Sequence, residues 1–209
     1  MSMKVEAVEK VEILPTNPPP NNSYSFKNGN PIITFVIANS EKLLMGSSLR
    51  LNGTLRVNQS TSTEAAPALA NNGDFTGDAA KGNKDGARAA ICLSSRIGLH
   101  STLQQITLSS QTNQTLETLR NYGRYLSSVI PTTHSQSDLD TNLAEKGLTA
   151  SRQLNGGLNV NNDVGFSIPL LTGMLNSAVP IPLGNNGTRG LIVQLELAPD
   201  QMVLSGYVD

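Results

Sequence analysis

The sequence predicts an all-β protein, an eight-stranded antiparallel jelly-roll sandwich with one or two short helices inserted in the middle third. Short β-prone runs with alternating apolar residues recur along the chain, and turns rich in Gly and Asn separate them. About eight such runs can be counted, which is the strand number of a jelly roll. The length of 209 residues suits a single sandwich domain with one substantial core.

Residues 1–30 are predicted to form an amino-terminal arm and a proline-rich tether, and residues 31–209 the jelly-roll domain. The arm repeats valine followed by glutamate three times and then ends in two larger apolar residues. The proline tract at 15–22 favours an extended conformation that separates the arm from the domain. A frayed terminus is the alternative interpretation. We predict that an apolar face of the arm docks against a neighbouring subunit or a membrane-side partner. Its residues are Val5, Val8, Val11, Ile13 and Leu14.

Two strands are predicted in the first third of the chain. Residues 32–38 are dense enough in apolar side chains for a core strand that is buried on both faces. Residues 49–57 alternate apolar and polar side chains, with Gly53 in one inward position, which predicts a half-buried strand with a possible bulge. Residues 59–88 lose this periodicity and are predicted to form a long surface loop.

Further strands are predicted at 89–93, 103–109, 164–168, 191–197 and 202–208. The strand at 103–109 alternates cleanly and should point Ile106 and Leu108 inward. The strand at 191–197 alternates in the same way. Residues 179–183 carry proline at every second position, so this segment can form only an edge strand or an extended loop.

Two helices are predicted in the middle third. Apolar residues within 116–130 lie near helical spacing, and Pro131 would end the helix. Asn113 or Thr115 would cap its start, and Glu117 would suit its positive first turn. A second, shorter helix is predicted at 138–146, with a glycine directly after it.

Composition argues against several classes of function. The formal net charge is -1 and charged residues make up 15% of the chain, so a broad basic surface for nucleic acid is not expected. Asn, Ser and Thr supply 59 of the 209 residues, which makes the surface polar mainly through neutral groups. The single cysteine, Cys92, excludes an intrachain disulfide. With only His100 and His134 beside it, the usual structural zinc site is not expected.

The sequence also predicts how the chain is made. No uninterrupted apolar stretch approaches the roughly 20 residues that cross a bilayer. Three glutamates lie within the first fourteen residues, where a signal peptide needs an apolar centre. We therefore expect a soluble chain that is made inside a cell without a signal peptide.

A calcium site is one alternative for part of the long loop. Asp74, Thr76, Asp78 and Asp85 stand at the spacing of calcium-loop ligands, but Ala79 stands where that loop needs glycine. A solvated acidic loop is the preferred interpretation, and no metal or cofactor is expected.

A catalytic constellation is not evident in the sequence. Cys92 lies in an apolar run, where an inert buried thiol is expected. His100 and Ser101 are neighbours, but successive strand residues point to opposite faces, so they should not form a dyad. His134 follows the predicted first helix in a loop rich in Ser and Thr and is expected in solvent. The chain is therefore predicted not to be an enzyme.

The order of these segments resembles a known family. The stretch FVIANSEKLLMGSSLRLNGTLRV at 35–57 is similar to the opening strands of the first jelly roll in double jelly-roll major capsid proteins of eukaryotic DNA viruses, such as the adintovirus, polinton-like and virophage groups. IGLHSTLQQITLSSQTNQTLETLRNYGRYLSSVI at 97–130 resembles that family's strand and insertion helix. FSIPLLTGMLNSAVPIPLGNNGTRGLIVQLELAP at 166–199 resembles its closing segments.

The resemblance implies a structural protein of the virion. Such chains form trimeric capsomers that tile an icosahedral shell, so the expected partners are further copies, neighbouring capsomers and other capsid, penton or cement proteins. Direct sequence-specific binding of nucleic acid is not expected. The chain has residues for only one jelly roll, which implies either part of a longer double jelly-roll protein or a single jelly-roll penton or minor capsid relative.

The alternative function is a carbohydrate-binding, lectin-like jelly roll. Sugar sites usually expose aromatic side chains for stacking, whereas this chain has no Trp, four Tyr and four Phe. The capsid interpretation is therefore preferred.

Overall fold

The computed structural model describes residues 8–26, 28–56, 68–69, 75–76, 89–94, 97–133, 163–199, 203 and 205–208. The strands are β1 (Ile32–Ile37), β2 (Leu43–Leu44), β3 (Arg50–Arg56), β4 (Ala68–Leu69), β5 (Phe75–Thr76), β6 (Ala89–Cys92), β7 (Leu103–Ser110), β8 (Thr115–Arg120), β9 (Asp163–Pro169), β10 (Ile181–Pro182), β11 (Leu191–Leu197) and β12 (Ser205–Val208). The α-helix α1 spans Tyr122–Thr133, and short 3-10 turns span Gly46–Ser48 and Leu99–Thr102. All ladders between these strands are antiparallel, which confirms the predicted all-β class.

The largest sheet has four strands in the order β1-β11-β7-β8. One face of it points into the core, and its buried apolar side chains are Ile37, Leu103, Ile106, Leu108, Leu191, Val193 and Leu195. The register explains why these residues meet, since Val193 is paired with Phe35 on one side and with Leu108 on the other. The predicted inward direction of Ile106 and Leu108 is confirmed.

Four of the ladders are nested one inside another along the chain. The pair β1–β11 encloses β2–β10, which encloses β3–β9, which encloses the hairpin β7–β8. The ladder β6–β12 departs from this order, because β6 lies between β3 and β7 while β12 follows β11. Nested pairing means that strands far apart in sequence become neighbours in space.

The ribbon of β3 and β9 contains a glycine that an aromatic ring covers. Gly53 is paired directly with Phe166, and the ladder runs from Arg50 to Arg56 without a register shift. The predicted bulge at Gly53 is therefore wrong. A side chain there would place its Cβ 2.8 Å from Cζ of Phe166. The missing side chain thus makes room for the ring.

A single core cluster joins the four-stranded sheet to the ribbon and to α1. From the ribbon side it receives Ile168, which is fully buried, and from α1 it receives Tyr122, Leu126 and Ile130. These α1 positions are four residues apart and so lie on one face of the helix. The helix packs against β7 and the Leu99–Thr102 turn.

The predicted helix is correct only in its second half. Residues Thr115–Arg120 form the strand β8, and α1 begins at Tyr122 and continues past Pro131 to Thr133. Residues 111–114 turn β7 back on itself to make β8, with Asn113 at a positive φ of 62°. This hairpin pairs β8 with a fully formed strand, and the pairing outweighs the helical spacing of its leucines. The predicted helix at 138–146 lies outside the described residues.

The expectation that the first strand is buried on both faces is also wrong. β1 is an edge strand of the sheet, and most of its residues are half-buried. Ile32 is 39% exposed on the outer face. Apolar density alone therefore overestimates the burial of this strand. Of the long loop at 59–88, the structure describes only the backbone pairing of β4 with β5, and the predicted calcium ligands other than Thr76 lie outside the described residues.

Tyr122 should make the stability of the fold fall at high pH. Burial raises the pKa of its phenol, although the backbone N–H of Leu171 donates to the phenol oxygen at 2.9 Å and opposes the shift. The phenol ionises near pH 10 in the unfolded state and at a higher pH in the folded state. Above about pH 10 the unfolded state therefore binds fewer protons than the folded state, and the free energy of unfolding falls as the pH rises.

We expect the free energy of unfolding to fall by about 1 kcal/mol between pH 10 and 11 through this group alone, because the unfolded tyrosine is already half ionised at pH 10. Urea unfolding at pH 8, 9, 10 and 11 measures it. Tyr122→Phe should be less stable than wild type at pH 8, because the buried N–H loses its acceptor, and the gap should narrow by pH 11. Tyr125→Phe, at an exposed position on the same helix, is the control. Parallel curves for wild type and Tyr122→Phe would contradict the prediction.

Candidate functional site at the amino-terminal arm

The arm presents apolar side chains to solvent. Val8, Val11 and Leu14 are 88%, 62% and 73% exposed. Ile13 differs from them, because it is half-buried and packs against the core cluster. Val5 lies outside the described residues. Three of the five predicted docking residues are thus available on one surface segment, and a fourth attaches that segment to the domain.

Polar contacts also hold the arm to the domain. Glu9 forms an ion pair with Lys42, and this ammonium group lowers the pKa of the carboxyl. The N–H of Thr16 donates to the carbonyl of Thr34 at 2.8 Å. Asn17 donates from its side-chain amide to the carbonyl of Ile32 at 2.9 Å, and its side-chain oxygen accepts from the N–H of Thr34 at 2.9 Å.

These contacts cover part of the free edge of β1. An edge strand presents unpaired N–H and C=O groups that invite further pairing, and here Thr16 and Asn17 occupy them at Thr34. Pro19, in the proline tract, is buried. The described part of the arm therefore lies along the domain and still leaves Val8, Val11 and Leu14 in contact with water.

His100 has a structural position in the core. It is completely buried, and its ring nitrogens lie 3.2 Å from the carbonyl oxygen of Ile97 and 3.0 Å from that of Pro169. The Ser101 hydroxyl donates to the carbonyl of Gly98 at 2.7 Å. The two side chains thus make separate backbone contacts, and His100 ties the 3-10 turn to the end of β9. His134 lies outside the described residues, and so does the side chain of Cys92.

Glu117 holds two parts of the fold together, a role that sequence reasoning does not reveal. The helix prediction places it in a first turn, but it lies on the inward face of β8, opposite Leu108. Its two carboxylate oxygens accept the backbone N–H groups of Gly173 and Met174 at 2.8 and 2.9 Å. It therefore fixes the turn after β9 to the sheet edge. The burial of β8 alternates, with Glu117 less exposed than Leu116 and Thr118, but the residue types TLETLR do not alternate, so the sequence carries no signal for this role.

Two shallow hollows lie on the described surface. The first, of about 210 Å³, is lined by Ser110, Thr112, Gln114, Leu116, Gly187, Thr188 and Arg189. The second, of about 240 Å³, lies on the outer face of the four-stranded sheet and is lined by Ile32, Gln105, Thr107, Gln194 and Glu196. Neither lining includes an aromatic side chain, and both consist mainly of polar groups.

Neither a metal cluster nor a membrane-spanning helix is found in the described part of the chain. Among its residues there is no group of three or more His, Cys, Asp or Glu side chains that could hold a metal ion. None of its helices is both long and apolar enough to cross a bilayer. Comparison with known proteins finds no matching protein family, no matching curated protein and no matching solved structure.

Proposed function

We propose that this chain is a viral capsid protein that self-assembles, as trimeric capsomers that tile an icosahedral shell. The observation that carries the proposal is the nested antiparallel pairing of β1–β11, β2–β10, β3–β9 and β7–β8. A jelly roll is in effect one long antiparallel hairpin rolled up, so its first strand pairs with its last and the pairing proceeds inward. These four ladders follow this scheme, whereas β6–β12 does not, and the four support a jelly roll and the capsid resemblance that rests on it.

The arm supports the same proposal from a different observation. Val8, Val11 and Leu14 expose apolar surface to water, which is energetically unfavourable in a free monomer. The arm is also tied to the domain by Ile13 and Asn17, so its apolar residues are held in place before a partner arrives. Preorganisation of this kind lowers the entropic cost of binding. The arm is proposed to dock on a neighbouring subunit within the shell.

The charge content suits dense packing of identical copies. A net charge of -1 gives little repulsion between neighbours, and only 15% of the residues are charged. Hydroxyl and amide groups form hydrogen bonds across an interface without the cost of burying ions. The proposed location is the virion, and the proposed partners are other copies of the chain and other capsid proteins.

Substituting the exposed arm residues should weaken assembly without unfolding the domain. In the variant Val8→Ser/Val11→Ser/Leu14→Ser the free energy of unfolding should stay within about 0.5 kcal/mol of wild type, because these side chains are already in water. Trimer and particle formation should fall about tenfold or more, because the interface loses three apolar contacts. Light scattering against concentration measures the trimer, and electron microscopy measures the particles.

Ile13→Ser provides the matched control for this variant. Ile13 packs against the core, so its substitution should lower the free energy of unfolding by about 1 to 2 kcal/mol. Unchanged assembly of the triple variant would remove the arm from the interface. A wild-type protein that stays monomeric at every concentration and binds glycans on an array would replace the capsid proposal with the lectin-like alternative.

A further inference from the structure

The outer face of the four-stranded sheet carries three rows of side chains, fixed by the strand register. The first row is Ile32, Glu196, Gln105 and Arg120, the second is Thr34, Gln194, Thr107 and Thr118, and the third is Val36, Ile192 and Ser109 followed by the bulge at Thr115 and Leu116. In each row the residues come from β1, β11, β7 and β8 in that order. We call this surface the outer sheet face.

The outer sheet face carries one acidic and one basic residue at equal distances on either side of β7. Gln105 on β7 pairs with Glu196 on β11 and with Arg120 on β8, so the two charges flank the central strand. Neighbouring strands lie about 4.8 Å apart, which puts the two Cα atoms roughly 10 Å from each other. In the described part of the chain neither charged side chain takes part in an ion pair or a side-chain hydrogen bond.

We propose that a second copy of this chain docks on the outer sheet face, about a two-fold axis that runs along β7. Such an axis exchanges the two sides of β7 between the copies, so Glu196 of each copy faces Arg120 of the other. In the next row Gln194 faces Thr118 of the second copy, and Thr107 meets its own equivalent on the axis. Isologous interfaces require this kind of self-complementary surface.

The third row fits the same axis. Ile192 would face Thr115, at the β8 bulge of the second copy. Carboxylate therefore meets guanidinium in the first row, and amide meets hydroxyl in the second. A sheet pairing with another copy in this way matches the aligned packing of sheets about 10 Å apart. The hollow between Gln105, Thr107 and Gln194 is the space that the opposing side chains would fill.

The size of the outer sheet face indicates a weak dimer. With the axis along β7 the two copies overlap at β11, β7 and β8, which span roughly 14 by 20 Å, an area below that of stable specific interfaces and suited to a transient contact. Dissociation in the micromolar range or above is therefore expected. This dimer goes beyond the proposed trimer and does not rest on it, because the argument uses only the strand register and the charges.

Sedimentation equilibrium of the whole chain tests the proposal. The wild type should show a reversible monomer–dimer equilibrium that weakens as salt is raised. Glu196→Arg and Arg120→Glu should each raise the dimer Kd about tenfold or more, because the symmetric interface contains the contact twice. The double variant, with both substitutions, should return the Kd to within about threefold of wild type, because it rebuilds the pair with the charges exchanged.

Arg124→Glu on the exposed part of α1 is the matched control and should leave the Kd unchanged. Circular dichroism on every variant verifies that the domain is folded. The proposal is overturned if wild type shows no dimer up to about 1 mM, or if the double variant binds no better than the single ones. The arm variant Val8→Ser/Val11→Ser/Leu14→Ser should keep the dimer, so failure of the trimer proposal and failure of this one give different results.

Discussion

Leu195→Ala is expected to lower the free energy of unfolding by about 3 kcal/mol, within the range of roughly 2 to 5 kcal/mol measured for buried Leu to Ala changes. Leu195 is fully buried on β11, between Ile33 on β1 and Ile106 on β7. Its removal leaves a cavity between three strands that are held by ladders on both sides, so the walls have little freedom to collapse. For a chain of this size the melting temperature should fall by roughly 6 to 12 °C.

Urea unfolding followed by circular dichroism measures this change. Gln194→Ala is the matched control, because Gln194 is the preceding residue on the same strand and points to the outer face. Its substitution should change the free energy of unfolding by no more than about 0.5 kcal/mol. Equal losses for the two variants would mean that the inward face of β11 does not form the core.

Gly190→Ala is expected to cost roughly 2 to 4 kcal/mol of folding free energy. Gly190 has a φ of 86°, in the left-handed region, where a residue with a Cβ is strained. The added Cβ would also lie 2.9 Å from the carbonyl oxygen of Ile37 and 2.7 Å from Cδ of Gln111. The glycine stands directly before β11, so the clash would disturb the end of the whole sheet.

Gly29→Ala separates the two causes of this loss. Gly29 also has a positive φ, of 75°, but a Cβ added there would meet no heavy atom within 4 Å. Its substitution should therefore cost only the backbone strain, about 1 to 2 kcal/mol. Thermal unfolding of both variants measures the difference. A Gly190→Ala variant as stable as Gly29→Ala would show that the close approach to Ile37 is relieved without cost.

Strands with clean alternation are predictable from the sequence. In β7 and β11 the inward residues of the alternating pattern are buried in the core, and the residues between them are more exposed. The reason is physical, because one face of each strand is buried and the other is not, and a period of two follows from the strand geometry itself. The same reasoning locates β3 and β9 on the chain, although not their pairing.

The helix prediction fails at 115–120 because the local spacing of leucines fits two structures. Leu116 and Leu119 are three residues apart, which is compatible with a helix face, but Thr115 and Thr118 are β-branched and favour a strand. The turn at Asn113 brings this segment against β7, and the ladder hydrogen bonds decide the outcome. Information about the partner strand is not contained in a short window of sequence.

The contacts of the arm cannot be predicted from the sequence either. The repeat singles out Val8 and Val11, but apolar character alone groups Ile13 with them and with Leu14, although Ile13 packs against the core. The hydrogen bonds of Asn17 to β1 depend on the edge position of that strand. The outer sheet face cannot be predicted from the sequence, because its rows combine residues from strands that are distant in sequence.

The pairing of β1 with β11 has a consequence for biosynthesis. A ribosome releases the apolar hexapeptide IITFVI of β1 early, whereas its partner strand is translated only much later. Until β11 is made this segment has no native ladder to join, and nascent polypeptides with such segments aggregate readily. In the folded structure Thr16 and Asn17, which are made just before this strand, form hydrogen bonds with its free edge, and these bonds need no residue of β11. We therefore expect residues 16–17 to protect one edge of β1 from pairing with other chains until β11 is made.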